Sequence, residues 1–255
     1  MKRLNYYEKF FQKYTAVFCG SDEQIHGFSI KKRHTMEVYH HAERIASSLK
    51  LDNDDFSAAM VSALFHDIGR FEQFKHFGTY VDRDSVNHAS HGVRVLKELG
   101  LLDDFTPDQK KNILSAIACH NCPVLPERLP EKAALYCRIV RDADKLDIFR
   151  VVIEVYESGK YDPVILLNLE ESDAITPSIG SSVLNRKVVP YHKMRTTADF
   201  KMVQLGWFSE LSFPESYRIA REQQFAEKIL RSLPDTPEVR KAEKQVMDTI
   251  SRMAG

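Results

Sequence analysis

The sequence contains little glycine and little cysteine. It has 10 glycines and 4 cysteines among 255 residues, and no low-complexity tract interrupts it. Four cysteines in so long a chain do not suggest a disulfide scaffold, and reduced thiols fit a cytosolic protein. These counts favour an ordinary globular chain in the cytoplasm.

The sequence also lacks a net charge and a long apolar run. Lys and Arg total 36, as do Asp and Glu, so no overall field favours nucleic acid or an anionic membrane. No apolar segment approaches the roughly 18–20 residues of a membrane span. The start of the chain is interrupted by Glu8, Lys9, Gln12 and Lys13, so it lacks the apolar core of a signal peptide. We therefore expect no membrane partner, and the composition carries no strong nucleic-acid signal.

Apolar residues recur with a period near 3.6, which indicates helices. In segment 34–50 they share one helical face with a histidine: His34, Val38, Ile45 and Leu49. Asp52 supplies a start signal for a second helix, and Gly69 is placed to end it. The next stretch, 71–84, is aromatic and polar, which is typical of a loop.

Three further helices are predicted before residue 160. Ser85 is placed to cap a helix that runs to Leu99. Thr106, with Pro107 at the first helical position, opens the next one. The last of the three covers about 131–157 and carries a long apolar stripe.

The helical pattern loosens after Gly159 and then resumes. Prolines punctuate the chain up to about Lys193, and segment 164–169 fits a short strand or a helical turn. We expect one all-α domain over 1–255, with a C-terminal helical extension. Helices are expected in that extension at 197–210, 214–232 and 237–253.

The motif HDIGR at 66–70 places two ligand-type side chains, His66 and Asp67, at the end of an apolar helix. An aspartate that enters a buried helix face needs a partner, and a cation is the simplest one. Packing alone explains this pair poorly. The motif therefore predicts a metal site.

Two more residues of the same chemical type lie on predicted helices. His34 precedes His66 by 32 residues, and Asp144 lies in an acidic cluster that interrupts an apolar helix. Imidazole and carboxylate groups together suit divalent Mn, Fe, Co, Ni, Zn or Mg. Such groups on three helices can hold one ion and leave coordination positions open for water and substrate.

The order His34, then His66 with Asp67, then Asp144 resembles the HD-domain superfamily of metal-dependent phosphohydrolases. The resemblance covers about 30–160 and includes the Ile-Gly after the pair and a late Asp-Lys-Leu. It implies an all-α HD-domain helical bundle, with 161–255 as the extension. It also implies hydrolysis of a phosphate ester, commonly of a nucleotide, by metal-activated water.

The resemblance further implies a second ion, which some members hold with two additional histidines. One precedes a glycine by four residues at the start of a helix, and His88 with Gly92 matches this. The other lies near the end of the next helix, which His120 matches. His91 competes with His88, since either can face the site from the same helix. With both ions bound, Asp67 would bridge them.

Two cations are candidates for contacting the phosphate. Arg70 stands where the family often has lysine, and its guanidinium can bind phosphate through two hydrogen bonds. Lys145 directly follows the proposed ligand Asp144. Asp67, Arg70 and Lys145 form the predicted catalytic set. The expected partner is a small-molecule phosphate ester, nucleotide-like in character, and an oligomer is possible.

Two other functions are compatible with the same ligands. A related helical oxygenase can hold two irons at these positions and activate dioxygen. A non-catalytic module can instead sense a nucleotide beside a structural metal. Cys119 and Cys122 form a CxxC around His120 without a second pair, so we interpret them as helix-packing residues rather than a zinc or redox site.

Overall fold

The computed structural model describes residues 2–189 and 191–255, which fold into α-helices joined by turns. These residues contain no β-strand, although an isolated bridge joins Glu170 to Thr196, so the predicted all-α fold class is confirmed. None of the helices in these ranges combines the length and the apolar character needed to cross a membrane. The α-helices are α1 (Lys2–Ala16), α2 (Asp22–Ser48), α3 (Asn53–Phe65), α4 (Gly69–Phe77), α5 (His88–Glu98), α6 (Pro107–Cys119), α7 (Glu131–Ser158), α8 (Pro177–Leu184), α9 (Thr197–Trp207), α10 (Pro214–Glu222), α11 (Phe225–Arg231) and α12 (Pro237–Ala254).

The chain forms two compact units, and the division between them falls within α7. The first unit ends at Asp144, and the second comprises Lys145–Gly255. The predicted single domain, with a core over about 30–160 and an extension over 161–255, stays a prediction.

The first unit is organised around α3. All residues of this helix from Ala58 to Phe65 are buried, and α1, α2 and α6 pack against it. Burial of so much apolar surface is the main driving force for this arrangement. As a consequence, His66 and Asp67, which follow α3 directly, are also buried.

Local capping signals determine where several helices begin, as the sequence predicted. Asp52 accepts a hydrogen bond from the backbone N–H of Asp55 at 2.8 Å, and Thr106 accepts one from Gln109 at 3.3 Å. Thr236 caps α12 in the same way. These side chains satisfy backbone donors that have no partner within the helix.

The prediction that 71–84 is a loop is wrong for its first half. Gly69 begins α4 instead of ending α3, and Gly78, with a φ of +64°, ends α4. Phe71 and Phe74 are buried on this helix. The aromatic residues that suggested a loop are therefore the buried face of a short helix.

Glycine is required at position 69 because α4 and α5 approach each other closely there. A Cβ atom on Gly69 would lie 2.4 Å from the carbonyl oxygen of His88 and 2.6 Å from the backbone nitrogen of Gly92. No side chain fits at these distances. The close approach places His88, the first residue of α5, beside the chain that carries Asp67.

The predicted cap of α5 is wrong by two residues. Asn87 caps this helix by accepting a hydrogen bond from the backbone N–H of Ser90 at 2.9 Å. Ser85 instead accepts a hydrogen bond from Gln73 Nε2 at 2.8 Å. A buried glutamine on α4 thus engages the residue that the sequence suggested as a cap.

In the second unit, α8 and α11 pack with α9 and α12, and α10 packs with α11 and α12. Phe149 stacks on Phe208 in its core, with ring centroids 4.6 Å apart. The predicted helix 214–232 is two helices, because Gln224 adopts a left-handed backbone with a φ of 54°. Segment 164–169 consists of turns and contains no strand.

Candidate metal centre

Five segments of the first unit bring histidine and aspartate side chains together. Of the six side chains, one lies on the buried face of α2, two follow the end of α3, one begins α5, one follows α6 and one lies in α7. All except the last are buried. In that order the residues are His34, His66, Asp67, His88, His120 and Asp144.

The two carboxylate oxygens of Asp67 face different histidines. Its Oδ2 lies 3.7 Å from Nε2 of His34 and 3.7 Å from Nε2 of His66. Its Oδ1 lies 3.4 Å from Nε2 of His88 and 3.9 Å from Nε2 of His120. Asp67 therefore stands between two histidine pairs, with one oxygen directed to each.

Asp144 completes the first of these groups. Its Oδ1 lies 3.1 Å from Nε2 of His34 and 3.8 Å from Nε2 of His66. The side chain is 22% exposed, so this side of the centre is accessible from solvent. Ligand atoms of His34, His66 and Asp144 lie close enough together to hold one ion, as do those of His66, Asp67 and His120.

Backbone carbonyls determine which nitrogen of two histidines carries the proton. Nδ1 of His66 lies 2.7 Å from the carbonyl oxygen of Ala63, and Nδ1 of His120 lies 2.7 Å from that of Ile117. A carbonyl oxygen only accepts, so Nδ1 donates in both rings. In the neutral rings Nε2 therefore carries the lone pair that can bind a metal.

His88 has the same orientation, held by a carboxylate. Its Nδ1 lies 2.7 Å from Asp82 Oδ2, so Nδ1 donates and Nε2 carries the lone pair. This Nε2 lies 3.1 Å from Nε2 of His120. Two lone pairs that face each other at this distance repel unless a cation or a proton lies beside them.

The donor set fits a divalent cation. Among the described residues, the buried Nε2 of His66 has no hydrogen-bond partner, although a buried acceptor of this kind normally has one. Burial also lowers the pKa of the His66 ring, and it lowers those of His88 and His120 to about 4. The rings are consequently neutral at physiological pH, and neutral imidazoles with carboxylates are ligands for divalent transition metals.

The carboxylates of the centre are ionised. Burial alone would raise the pKa of Asp67, but the Lys31 ammonium and the Arg70 guanidinium outweigh burial and hold the pKa well below its usual range. Burial likewise opposes ionisation of Asp144, and its hydrogen bond with His34 contributes most to lowering the pKa of that carboxyl. Both groups can therefore act as anionic ligands.

Arg70 lies at the edge of the centre. Its Nε is 3.4 Å from Asp67 Oδ1, and its Nη1 donates to Asp82 Oδ1 at 2.7 Å, to Gln73 Oε1 at 2.9 Å and to the Tyr80 carbonyl. This network holds the guanidinium beside the ligand carboxylate.

Comparison with known proteins identifies the segment that carries this centre. Residues 32–148 match the family model described as the HD domain. The chain contains an HD domain. No curated protein and no solved structure gives a significant match to the chain. The resemblance predicted from the sequence is thus confirmed for the part of the chain that holds the histidines and aspartates.

The HD domain indicates a general chemistry for this centre. HD domains usually bind divalent metals and are mostly metal-dependent phosphohydrolases. Among the described residues, two overlapping groups that share His66 have ligand atoms close enough together to hold an ion. The family and the geometry together suggest metal-dependent activity of the hydrolase type.

Within the HD domain, the structure distinguishes between the two histidines of α5. His88 faces Asp67, whereas His91 contacts Glu72 through Nε2 at 2.8 Å and Arg94 through Nδ1 at 2.9 Å. Both nitrogens of His91 are thus engaged away from Asp67. That His88 binds a metal stays a prediction, as do the other ligand assignments.

Lys145, the other predicted phosphate contact, belongs to the second unit. Its ammonium lies 2.8 Å from Glu210 Oε2. A lysine in an ion pair has to exchange its partner before it can bind a phosphate. The catalytic role of Lys145 therefore stays a prediction.

Sequence reasoning missed two residues of the first unit that contact the centre. Asp82 bonds to His88, and Lys31 donates to Asp67 Oδ2 at 2.8 Å. The position of Lys31, one helical turn before His34, was a usable signal, because residues three apart share a helix face. Asp82 carried no such signal, since its segment resembled a solvated loop.

Proposed function

We propose that this HD domain hydrolyses a phosphate ester, nucleotide-like in character, with metal-activated water. The observation that supports this function best is that the two carboxylate oxygens of Asp67 face two different histidine pairs. Oδ2 faces His34 and His66, and Oδ1 faces His88 and His120. A carboxylate whose two oxygens face separate groups of nitrogen donors is suited to bridge two ions.

The proposed ligands fall into two sets that share Asp67. His34, His66 and Asp144 would hold the first ion with Oδ2. His88 and His120 would hold the second ion with Oδ1 of the same carboxylate. Divalent ions bound in this way lower the pKa of water and stabilise negative charge on a phosphoryl group.

The side chains around the centre position the substrate and balance its charge. Arg70, which Asp82 holds beside Asp67, would contact a phosphate oxygen through the rest of its guanidinium. Phosphoryl transfer needs little covalent chemistry from the protein, because positioning and charge stabilisation carry it. Asp144, whose side chain is 22% exposed, marks the side from which we propose that the substrate approaches.

We place the proposed reaction in the cytoplasm. Its partner would be a small-molecule phosphate ester, and its cofactor would be Mn, Fe, Co, Ni, Zn or Mg. Lys145 is included as a phosphate contact that becomes available when it leaves Glu210. The helices of 161–255 are proposed to belong with the HD core as one functional chain.

Replacement of Asp67 tests the proposal. We expect Asp67→Asn and Asp67→Ala to lose tight metal binding and phosphate release together, because both sets of ligands depend on this carboxylate. The exposed Asp84 provides a matched control, and Asp84→Asn should retain both properties. If Asp67→Asn retains its metal content and its turnover, the proposed mechanism is wrong.

A substrate screen separates hydrolysis from oxygenase chemistry. Metal analysis of the purified protein is paired with a phosphate-release assay on nucleotides under several divalent ions, without oxygen. Phosphate release under these conditions supports hydrolysis. Iron content with substrate loss that requires dioxygen would support an oxygenase instead, and tight nucleotide binding without turnover would support a sensing module.

A further inference from the structure

Lys31 forms a short ion pair with the central carboxylate of the metal centre. Its Nζ donates to Asp67 Oδ2 at 2.8 Å, and the two side chains are 18% and 4% exposed. A charge-assisted bond between partners this sheltered from water is stronger than a surface ion pair. Lys31 therefore belongs to the metal centre.

The oxygen that Lys31 holds is the one that faces the first histidine pair. Asp67 Oδ2 lies 3.7 Å from Nε2 of both His34 and His66. Lys31 precedes His34 by one turn of α2, so the two side chains project from the same face of that helix. The Lys31 ammonium and the Nε2 atoms of His34 and His66 thus all face Asp67 Oδ2.

A fixed aromatic ring supports the ammonium in this position. Nζ of Lys31 lies 5.4 Å from the centroid of the Tyr80 ring, within the range of a cation–π interaction. The Tyr80 ring stacks on Phe74 with centroids 4.3 Å apart, and its hydroxyl donates to the carbonyl oxygen of Gly27 at 2.9 Å. Tyr80 is held at both ends and therefore favours the orientation of Lys31 toward Asp67.

We propose that Lys31 is an internal counter-ion that competes with a divalent ion for Asp67 Oδ2 and so limits the affinity of the first metal position. The inference rests on the proposed function, because it needs an ion at that position. A divalent ion and an ammonium on one oxygen repel each other strongly where little water screens them. Binding of the ion requires either displacement of the ammonium or acceptance of that repulsion, and both weaken binding.

The ion pair also has a consequence for the protein without metal. Asp67 is a buried carboxylate, and removal of the partner of a buried charge is strongly destabilising. Lys31 thus stabilises the fold when no ion is bound. The same contact weakens metal binding and strengthens the metal-free state, so its removal should change the two properties in opposite directions.

Lys31→Met tests this inference, with Lys32→Met as the matched control on the same helix. The proteins are stripped with a chelator, and Mn²⁺ binding is measured by calorimetry beside the melting temperature of the metal-free form. We expect Lys31→Met to bind the first Mn²⁺ at least about tenfold more tightly, while its metal-free form melts at a lower temperature. Lys32→Met should match the wild type in both measurements.

Two further variants isolate the charge of Lys31. Lys31→Arg keeps the charge and should keep the wild-type Mn²⁺ affinity. Lys31→Gln keeps a hydrogen-bond donor without the charge, and should bind Mn²⁺ more tightly than wild type even if Lys31→Met fails to fold. A side chain that is only structural would not increase metal affinity when removed.

The possible outcomes separate this inference from the proposed function. If the wild type binds Mn²⁺, and neither neutral variant binds it more tightly, the competition is refuted and the metal site stands. If neither the wild type nor the variants bind Mn²⁺, Co²⁺ or Zn²⁺, the metal site itself is refuted and the inference falls with it.

Discussion

Asp82 holds the ring of His88 in the orientation that a metal ligand requires. The two residues are joined by contacts of 2.7 Å and 2.9 Å between His88 Nδ1 and the carboxylate oxygens of Asp82. The same carboxylate accepts hydrogen bonds from Arg70 at 2.7 Å and from Gln73 at 3.0 Å. One aspartate thus orients a proposed ligand and a proposed phosphate contact together.

We therefore predict that Asp82→Asn weakens the second metal position and slows turnover. The amide has no charge to support an imidazole that faces a cation, and loss of such an outer partner typically costs about 10–100-fold in metal affinity or activity. Binding of the second ion by calorimetry and initial rates at saturating metal measure the two effects. Asp84→Asn, in the same turn but exposed, is the control, and equal behaviour of the two variants would contradict the role given to Asp82.

The two histidines of α5 give a prediction about metal stoichiometry. Because His88 faces Asp67 and His91 contacts Glu72, His88→Gln should reduce the number of bound ions from two to one. His91→Gln should leave that number unchanged. Elemental analysis after dialysis against limiting Mn²⁺ measures the number of bound ions. If only the His91 variant loses an ion, His91 and not His88 is the ligand.

Acid should destabilise the metal-free protein before it affects ordinary carboxylates. Burial lowers the pKa values of His88 and His120 from 6.5 to about 4 in the folded chain. Between these values the unfolded chain binds protons on these rings that the folded chain does not. The free energy of unfolding is then at its full value above pH 6.5 and decreases as the pH falls toward 4, by up to about 1.4 kcal/mol per pH unit for each ring.

Urea unfolding in a chelator between pH 7.5 and about 4.5 measures this slope. Removal of one titrating ring in His88→Gln should reduce this slope. A free energy of unfolding that stays constant over the window would show that the rings are not buried as neutral groups.

Most of the helices and the candidate ligands could be predicted from the sequence, because interactions between residues close in the chain determine their signals. Capping residues such as Asp52 and Thr106 bond to backbone groups three residues away, so their signals survive without knowledge of the fold. His66 and Asp67 were recognisable because two polar ligands at the end of an apolar helix conflict with packing. Features of this kind can be inferred from a single chain.

Other features depended on contacts between distant segments and escaped prediction. Lys31 shares a helix face with His34, but it stands in a Lys-Lys-Arg run that resembles a solvated surface, and its partner Asp67 follows a different helix. Asp82 acquires its role from His88 and Arg70, which belong to other helices. Gly69 was interpreted as a helix terminator, because its contact with α5 has no local signal.

The last prediction concerns Gly69 and Gly78. These glycines lie at the two ends of α4, and each is needed there for a different reason. Gly78→Ala meets open space and only pays for a positive φ of 64°, which costs about 1 kcal/mol of stability. Gly69→Ala places a Cβ 2.4 Å from the His88 carbonyl oxygen, so α5 must shift, at a cost of about 3 kcal/mol for an overpacked site.

The shift of α5 should also affect the metal centre, because His88 is its first residue. We expect Gly69→Ala to weaken binding of the second Mn²⁺ at temperatures where the protein remains folded, whereas Gly78→Ala keeps wild-type binding. Urea unfolding and calorimetric titration of both variants provide the comparison. If Gly69→Ala loses stability but binds two ions normally, the close approach of α4 and α5 supports the fold alone, and the position of His88 does not depend on it.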